Sequence, residues 1–196
     1  MSEIGEDLKN NAWIKMNEEE AQGAYLFADN YIDFLNLAKT EREAVEYVRK
    51  IALEHGFQPL DQVKEIKAGD KLYMEAKGKI CALIIIGQQD LRKGINLVVS
   101  HIDTPRLDLK PRPLYEAEGL SMLKTHYYGG IKKYHWLAMP LALHGVIFKK
   151  DGTRVDVQLG EDENDLVFTI ADLLPHLAKE QMEKKMSEAI TGESLN

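Results

Sequence analysis

The feature that most constrains the fold of this chain is a pair of uninterrupted apolar runs. The first is Cys81-Ala82-Leu83-Ile84-Ile85-Ile86 with Ile80 before it. The second is Ile95-Asn96-Leu97-Val98-Val99-Ser100, which leads into His101-Ile102-Asp103-Thr104-Pro105. Such runs, rich in β-branched residues and bounded by turn residues, predict strands with both faces covered, as at the centre of an α/β sandwich. If the second run is a buried strand, His101 and Asp103 lie where it leaves the sheet. They point to the same side, because side chains alternate along a strand. Ligands of open α/β sheets bind beyond the carboxyl ends of the strands. A neutral imidazole ligates zinc well, and a nearby carboxylate can take its other N–H and fix its tautomer. The pair therefore reads as half of a metal site.

Flanking patterns agree with a layered α/β chain. Residues 1–16 read as a lightly packed arm. Glu18–Leu37 has the apolar periodicity of a helix, through Ala21, Tyr25, Phe27, Ala28, Tyr31, Ile32, Phe34 and Leu35, and its aromatics are expected in the core. Thr40-Glu41-Arg42-Glu43 has the form of a capping box. The helix it starts turns Ala44, Val45, Tyr47, Val48, Ile51 and Ala52 inward. Gly56 is placed to end that helix, with His55 as a cap partner. Lys71–Ala76 alternates, and Lys77-Gly78-Lys79 marks a turn. Two helices followed by a buried sheet give an α/β layer fold.

Beyond Pro105 the pattern changes. Lys110-Pro111-Arg112-Pro113 is stiff and unhelical, and a domain boundary is expected there, between 1–111 and 112–196. Leu120–Leu123, Leu141–Lys149, Thr153–Leu159 and Leu166–Ile170 read as short strands, with Asp151-Gly152 as a hairpin turn. A charged helix is expected from Glu180 to Ile190. The last residues carry no stop signal, so the chain is expected to end within a domain.

Composition excludes several function classes. A net charge of −7 speaks against general nucleic-acid binding, which needs a basic face. Cys81 is the single cysteine, so an intrachain disulfide and a thiolate zinc cluster are both ruled out. Its apolar surroundings make it a structural thiol. No apolar stretch reaches membrane-spanning length, and the polar start lacks a signal-peptide core. The expected location is cytoplasmic.

Three stretches carry a family resemblance. They are Val99 to Pro111, His126-Tyr127-Tyr128-Gly129-Gly130-Ile131-Lys132-Lys133-Tyr134-His135-Trp136 with Pro140 to Gly145, and Asp172-Leu173-Leu174-Pro175-His176-Leu177-Ala178. Together they resemble the M18 metallo-aminopeptidases, the aspartyl aminopeptidase family, and its bacterial branch above all. The resemblance implies part of a zinc-peptidase-type α/β sandwich, followed by part of a β-rich inserted dimerisation domain entered near Pro111–Pro113. It implies a two-metal exopeptidase, with zinc, cobalt or manganese as candidate ions, acting on peptide N-termini that include acidic ones. It also implies assembly into a closed homo-oligomer through the β-rich domain. By match, His101 is a metal ligand and Asp103 the carboxylate that orients it. His176 is a candidate accessory residue reaching a neighbouring active site, with Glu180 the alternative for that place.

The family's bridging aspartate, paired glutamates, further aspartate and last histidine have no match here. The chain alone is therefore expected to be inactive, with a second polypeptide as one possible source of the missing groups. The acidic run Glu161-Asp162-Glu163 with Asp165 reads as a solvated turn, and His126, His135 and His144 as packing residues. Gly129-Gly130-Ile131-Lys132-Lys133 lacks phosphate-loop spacing and reads as a tight turn. Two other classes stand beside the peptidase: a non-catalytic oligomerisation module of the same fold, and an unrelated α/β binding protein in which His101 and Asp103 are structural.

Overall fold

In the computed structural model, residues 11–196 are described. They form two compact units that divide between Ile102 and Asp103. The expected arm over residues 1–16 lies largely outside the described residues. Its last part forms a one-turn helix α1, Ala12–Lys15, whose start is capped by the Asn11 side chain accepting from the Trp13 amide.

Helix α2 spans Glu18–Leu37 and α3 spans Glu41–Glu54. Both begin where local chemistry says they should. Asn17 and Glu20 form a reciprocal capping box on α2, satisfying amides that the first turn leaves without partners. On α3 the Thr40 hydroxyl accepts from the Glu43 amide at 3.3 Å, while the Glu43 carboxylate accepts from the Lys39 amide at 3.1 Å. Gly56, at φ +79°, lets the Phe57 amide reach back to the Ala52 carbonyl at 2.9 Å and stop the helix. His55 Nδ1 lies 2.9 Å from the Ile51 carbonyl oxygen, as expected of a cap partner.

The sheet of the first unit has the order β1-β2-β3, with β1 Gln58–Pro59, β2 Lys71–Ala76 and β3 Ile80–Ile85. β1 pairs parallel and β3 antiparallel to β2. Helix α3 packs on β2 and β3, burying Ala44, Val45, Ala52 and Leu72. Arg42 Nη1 donates to the Lys77 carbonyl at 2.7 Å and ties the β2–β3 turn to this helix.

Three expectations are corrected here. The run Ile95–Ser100 is not a strand, and it is open to solvent, with Val98 97% exposed. A strand exists only where a neighbour pairs its N–H and C=O groups, and the three-stranded sheet offers this run no such neighbour. The Ile80–Ile86 run is covered on one face rather than two, since Leu83 and Ile85, which share a face, are exposed. The apolar face of α2 is also uncovered, with Phe27 75% exposed. There Phe34 alone is half-buried among the aromatics, its ring 5.1 Å from that of Tyr47 on α3. Periodicity reports which face prefers burial, not whether a neighbour is present to bury it.

The second unit contains two antiparallel ribbons. β4 (Arg106–Ala117) pairs with β5 (Leu120–Tyr128), and β6 (Leu143–Phe148) with β7 (Arg154–Leu159). Lys110–Pro113, where a domain boundary was expected, lie inside β4. A two-stranded ribbon has only edges, and prolines are tolerated there. The ladder also shifts register between Leu109 and Leu114, which accommodates them. Asp151-Gly152 does form the β6–β7 turn, with Gly152 at φ +85°.

Leu166–Ile170 contributes a single bridge, Phe168 to Leu141, rather than a strand. The expected helix over Glu180–Ile190 is two single turns, α4 Lys179–Met182 and α5 Met186–Ala189. Helices this short gain little from their own hydrogen bonds. What holds this segment is Ala178 and Ile190, buried at its two ends. Ile170, Ile190 and Leu195 form the core of the unit, with Leu107, Ile131, Tyr134, Trp136, Leu137 and Leu141 against it.

Candidate functional site

The site is built from the segment that enters β4 and the end of β5. The β4–β5 register sets Arg106 opposite Tyr128. Asp103 precedes β4 by three residues, and the Tyr128 hydroxyl donates to its Oδ2 at 2.5 Å. Hydrogen bonds to ionised acceptors are short and strong, so the phenol holds the carboxylate in place. The Tyr128 ring is held in turn by the Arg106 guanidinium, 4.4 Å from its centroid. Arg106 is itself fixed, because its Nε donates to Asp108 Oδ1 at 2.8 Å and its Nη1 to the Thr104 carbonyl at 3.2 Å.

Close approach of two backbones makes this possible. Gly129 follows Tyr128 at φ +79°, and a Cβ there would lie 3.4 Å from Pro105 Cγ. The left-handed backbone favours glycine at this position. Residues 129–130 form a bend, in keeping with the tight turn read from the sequence.

His101 is exposed and belongs to the first unit, while Asp103 and His176 belong to the second. His176 is exposed on the turn 175–177. His144 pairs with Glu161, Nε2 to Oε1 at 2.7 Å, with only 10% of the histidine side chain exposed. Glu161 therefore has a partner, while the acidic turn around it is solvated as expected. His126 stacks on Tyr127, and His135 packs edge-on to Tyr134.

Cys81 is half-buried, and burial together with the nearby Glu75 carboxylate pushes its thiol up from the ordinary value. A raised thiol is a poor nucleophile. Its reading as a structural residue stands.

Among the described residues, no three His, Cys, Asp or Glu side chains stand close enough to hold a metal ion. The donor type at His101 suits one zinc coordination position, and a tethered carboxylate such as Asp103 suits the orienting role. The number of donors does not make a closed cage from these residues alone. Tyr128 is the residue that sequence reasoning missed. Its position just before Gly129-Gly130, opposite the segment after Asp103, was the available signal, and it needed the strand register to be read.

The sequence profile of the family described as "Aminopeptidase I zinc metalloprotease (M18)" matches residues 34–195. A Clostridium acetobutylicum protein named "Probable M18 family aminopeptidase 1" is 47% identical over 190 residues, 95% of this chain and 41% of that protein. The crystal structure of an M18-family aminopeptidase from Thermotoga maritima superposes with a TM-score of 0.86 at 47% identity, covering 95% of this chain and 40% of that one. Yeast aminopeptidase 1 superposes with a TM-score of 0.62 at 25% identity, over 75% of this chain and 36% of that one. The chain thus spans about two fifths of the length of the relatives it matches (41% and 40%). It has the mixed α/β fold of that portion of them, and it belongs to the M18 family of metallo-aminopeptidases.

Proposed function

We propose that this chain is part of a zinc-type aminopeptidase that removes N-terminal residues, acidic ones included, from peptides. His101 would hold a metal ion through one imidazole nitrogen. Asp103 would accept a hydrogen bond from the N–H of the other nitrogen, fixing the tautomer and raising ligand basicity. A bound divalent ion supplies polarisation of a water and of the scissile carbonyl. The observation that carries the reading is the short Tyr128–Asp103 hydrogen bond, because an orienting carboxylate must itself be held still. Two ions, with cobalt or manganese as alternatives to zinc, complete the site in the assembled enzyme. His176, exposed on its turn, is the accessory group that reaches a neighbouring subunit.

On this reading, residues 1–111 contribute to the catalytic domain, and 112–196 to the β-rich domain through which the homo-oligomer forms. The enzyme is cytoplasmic. No helix among the described residues is long and apolar enough to cross a membrane. The exposed apolar run Ile95–Val99 becomes a buried strand once further strands of the family fold pair with it.

Replacing His101 with Ala in the active assembly tests the assignment: metal-dependent cleavage is expected to vanish. Full activity at stoichiometric metal in that variant would sink it.

A second reading is favoured by the uncovered faces of α2 and of Ile95–Val99. In it the chain is a non-catalytic module that pairs with itself or with a longer relative, since exposed apolar area of this extent marks interaction surfaces. Copurification separates the two. A second polypeptide carrying the missing acids and histidine supports the enzyme. A chain that assembles only with itself and cleaves nothing supports the module.

A further inference from the structure

We infer that the outer edge of β7 pairs antiparallel with β7 of a second copy of this chain, in the register that sets Arg154 opposite the partner's Asp156. The inference rests on the reading above that the homo-oligomer forms through residues 112–196, and it names the strand and the register. β6 and β7 make a two-stranded sheet, and a sheet edge is a row of N–H and C=O groups that another chain can pair with. The other edges of this unit suit such pairing less. Pro111 and Pro113 interrupt the donor row of β4. At β5 the Thr125 amide already donates to the Asn196 side chain, beside the Thr125–Leu195 bond. β6 carries no Asp, Glu, Lys or Arg to fix a register.

The phase of the β6–β7 ladder decides which residues face outward. The Lys149 amide donates to the Thr153 carbonyl at 2.9 Å, and the register runs without a shift from Phe148 opposite Arg154 to Leu143 opposite Leu159. Opposed residues alternate between hydrogen-bonded and non-hydrogen-bonded pairs. Val155, Val157 and Leu159 therefore aim their backbone groups at β6, and Arg154, Asp156 and Gln158 aim theirs outward.

Charge then selects among the antiparallel registers that these outward groups allow. A twofold centred on Asp156 sets two aspartates face to face, and one centred on Arg154 sets two arginines so; like charges directly opposite destabilise. A twofold centred on Val157 leaves Asp156 opposite the partner's Gln158, with no charge matched. Centred on Val155, it sets each Arg154 against the partner's Asp156, and the backbone bonds fall at those same residues. Within one copy Arg154 Nη2 lies 2.6 Å from Asp156 Oδ1, so the twofold gathers two such pairs into a cluster of alternating charge. On the opposite face Ile147 is 56% exposed and stands across from Val155. There the pairing brings Val155 against the partner's Val155 and continues the apolar row from Ile147 across the twofold. The same patch meets itself, so the contact closes as a dimer.

The test uses the full 196-residue chain. Val155→Cys and Val157→Cys are each made together with Cys81→Ala, because Cys81 is the single native cysteine. A non-hydrogen-bonded pair sets its Cα atoms about 4.5 Å apart, within the disulfide range of about 4.4–6.8 Å. In the proposed register the two Val157 positions lie roughly 13 Å apart along the strands. Asp156→Arg and the exchange Arg154→Asp with Asp156→Arg, both at exposed positions, are compared with the unaltered chain by sedimentation equilibrium. Circular dichroism checks that each variant is folded.

Under mild oxidation Val155→Cys is expected to give a covalent dimer and Val157→Cys none. Asp156→Arg is expected to weaken dimerisation about tenfold, because two attractive pairs become repulsive, and the exchange is expected to restore it. A cross-link through Val157→Cys instead of Val155→Cys overturns this inference and leaves the oligomer reading standing. A dimer that Asp156→Arg leaves unchanged does the same. An unaltered chain that stays monomeric overturns both.

Discussion

The Thr125 hydroxyl on β5 donates to the carbonyl of Leu195, and the Leu195 side chain is 0% exposed. The Asn196 side chain accepts from the Thr125 amide at 3.1 Å alongside. The segment after α5 is thus fastened to the β4–β5 ribbon by polar contacts around one apolar anchor, although nothing in Gly192–Asn196 announces that role locally.

Truncating that anchor should therefore be costly. Leu195→Ala is expected to destabilise the second unit by about 2–5 kcal/mol, the range for buried leucines replaced by alanine. Denaturant unfolding followed by the fluorescence of Trp136, which packs on the same cluster, measures it. A loss below 1 kcal/mol, on the order of a surface change, would contradict the placement.

The isolated 196-residue chain is expected to bind Zn²⁺ weakly and to cleave no peptide. A catalytic zinc draws about three protein ligands, and the described residues bring no three such groups together. Isothermal titration showing tight, stoichiometric binding would refute this.

Glu75 and Cys81 face each other across the β2–β3 ladder, and burial and that carboxylate hold the thiol proton more firmly than in a free cysteine. Alkylation by iodoacetamide should accordingly reach half its maximal rate at a higher pH than for a model peptide. Glu75→Gln should bring the midpoint partly back. A midpoint unchanged from the peptide removes the argument.

Asp151 accepts from the Thr153 amide at 2.9 Å in the β6–β7 turn, and that bond holds its carboxyl below the ordinary value. A depressed carboxyl stabilises the folded turn above its unfolded pKa. That contribution is lost as pH falls from the ordinary carboxylate range, about 4, through the lowered folded value. The Thr153 amide resonance, followed by NMR from neutral pH downward, should titrate below the ordinary carboxylate range, and Asp151→Asn should abolish the titration.

Removing the α3 cap by Thr40→Ala should cost about 1 kcal/mol. The hydroxyl serves the Glu43 amide and also donates to the Glu43 carboxylate at 3.0 Å. Thermal unfolding of the first unit checks it, with Thr40→Ser, which keeps the hydroxyl, expected to retain most of the stability.

Short-range chemistry was legible in the sequence itself. The Thr40 cap, the Gly56 stop, the Lys77-Gly78 turn and the Asp151-Gly152 turn each depend on residues only a few positions apart, so the pattern contains both partners. The family of the chain was legible for a related reason: three motifs keep their residue order whatever their surroundings. Tertiary structure alone decided the rest. Tyr128 reaches Asp103 across 25 positions, a meeting set by the β4–β5 register and by the close approach of Gly129 to Pro105. The runs at Ile80 and Ile95 and the face of α2 read as buried because apolar periodicity states a preference for burial. Whether that preference is met depends on which other surfaces arrive, and here the three-stranded sheet and α3 cover only one side of β3.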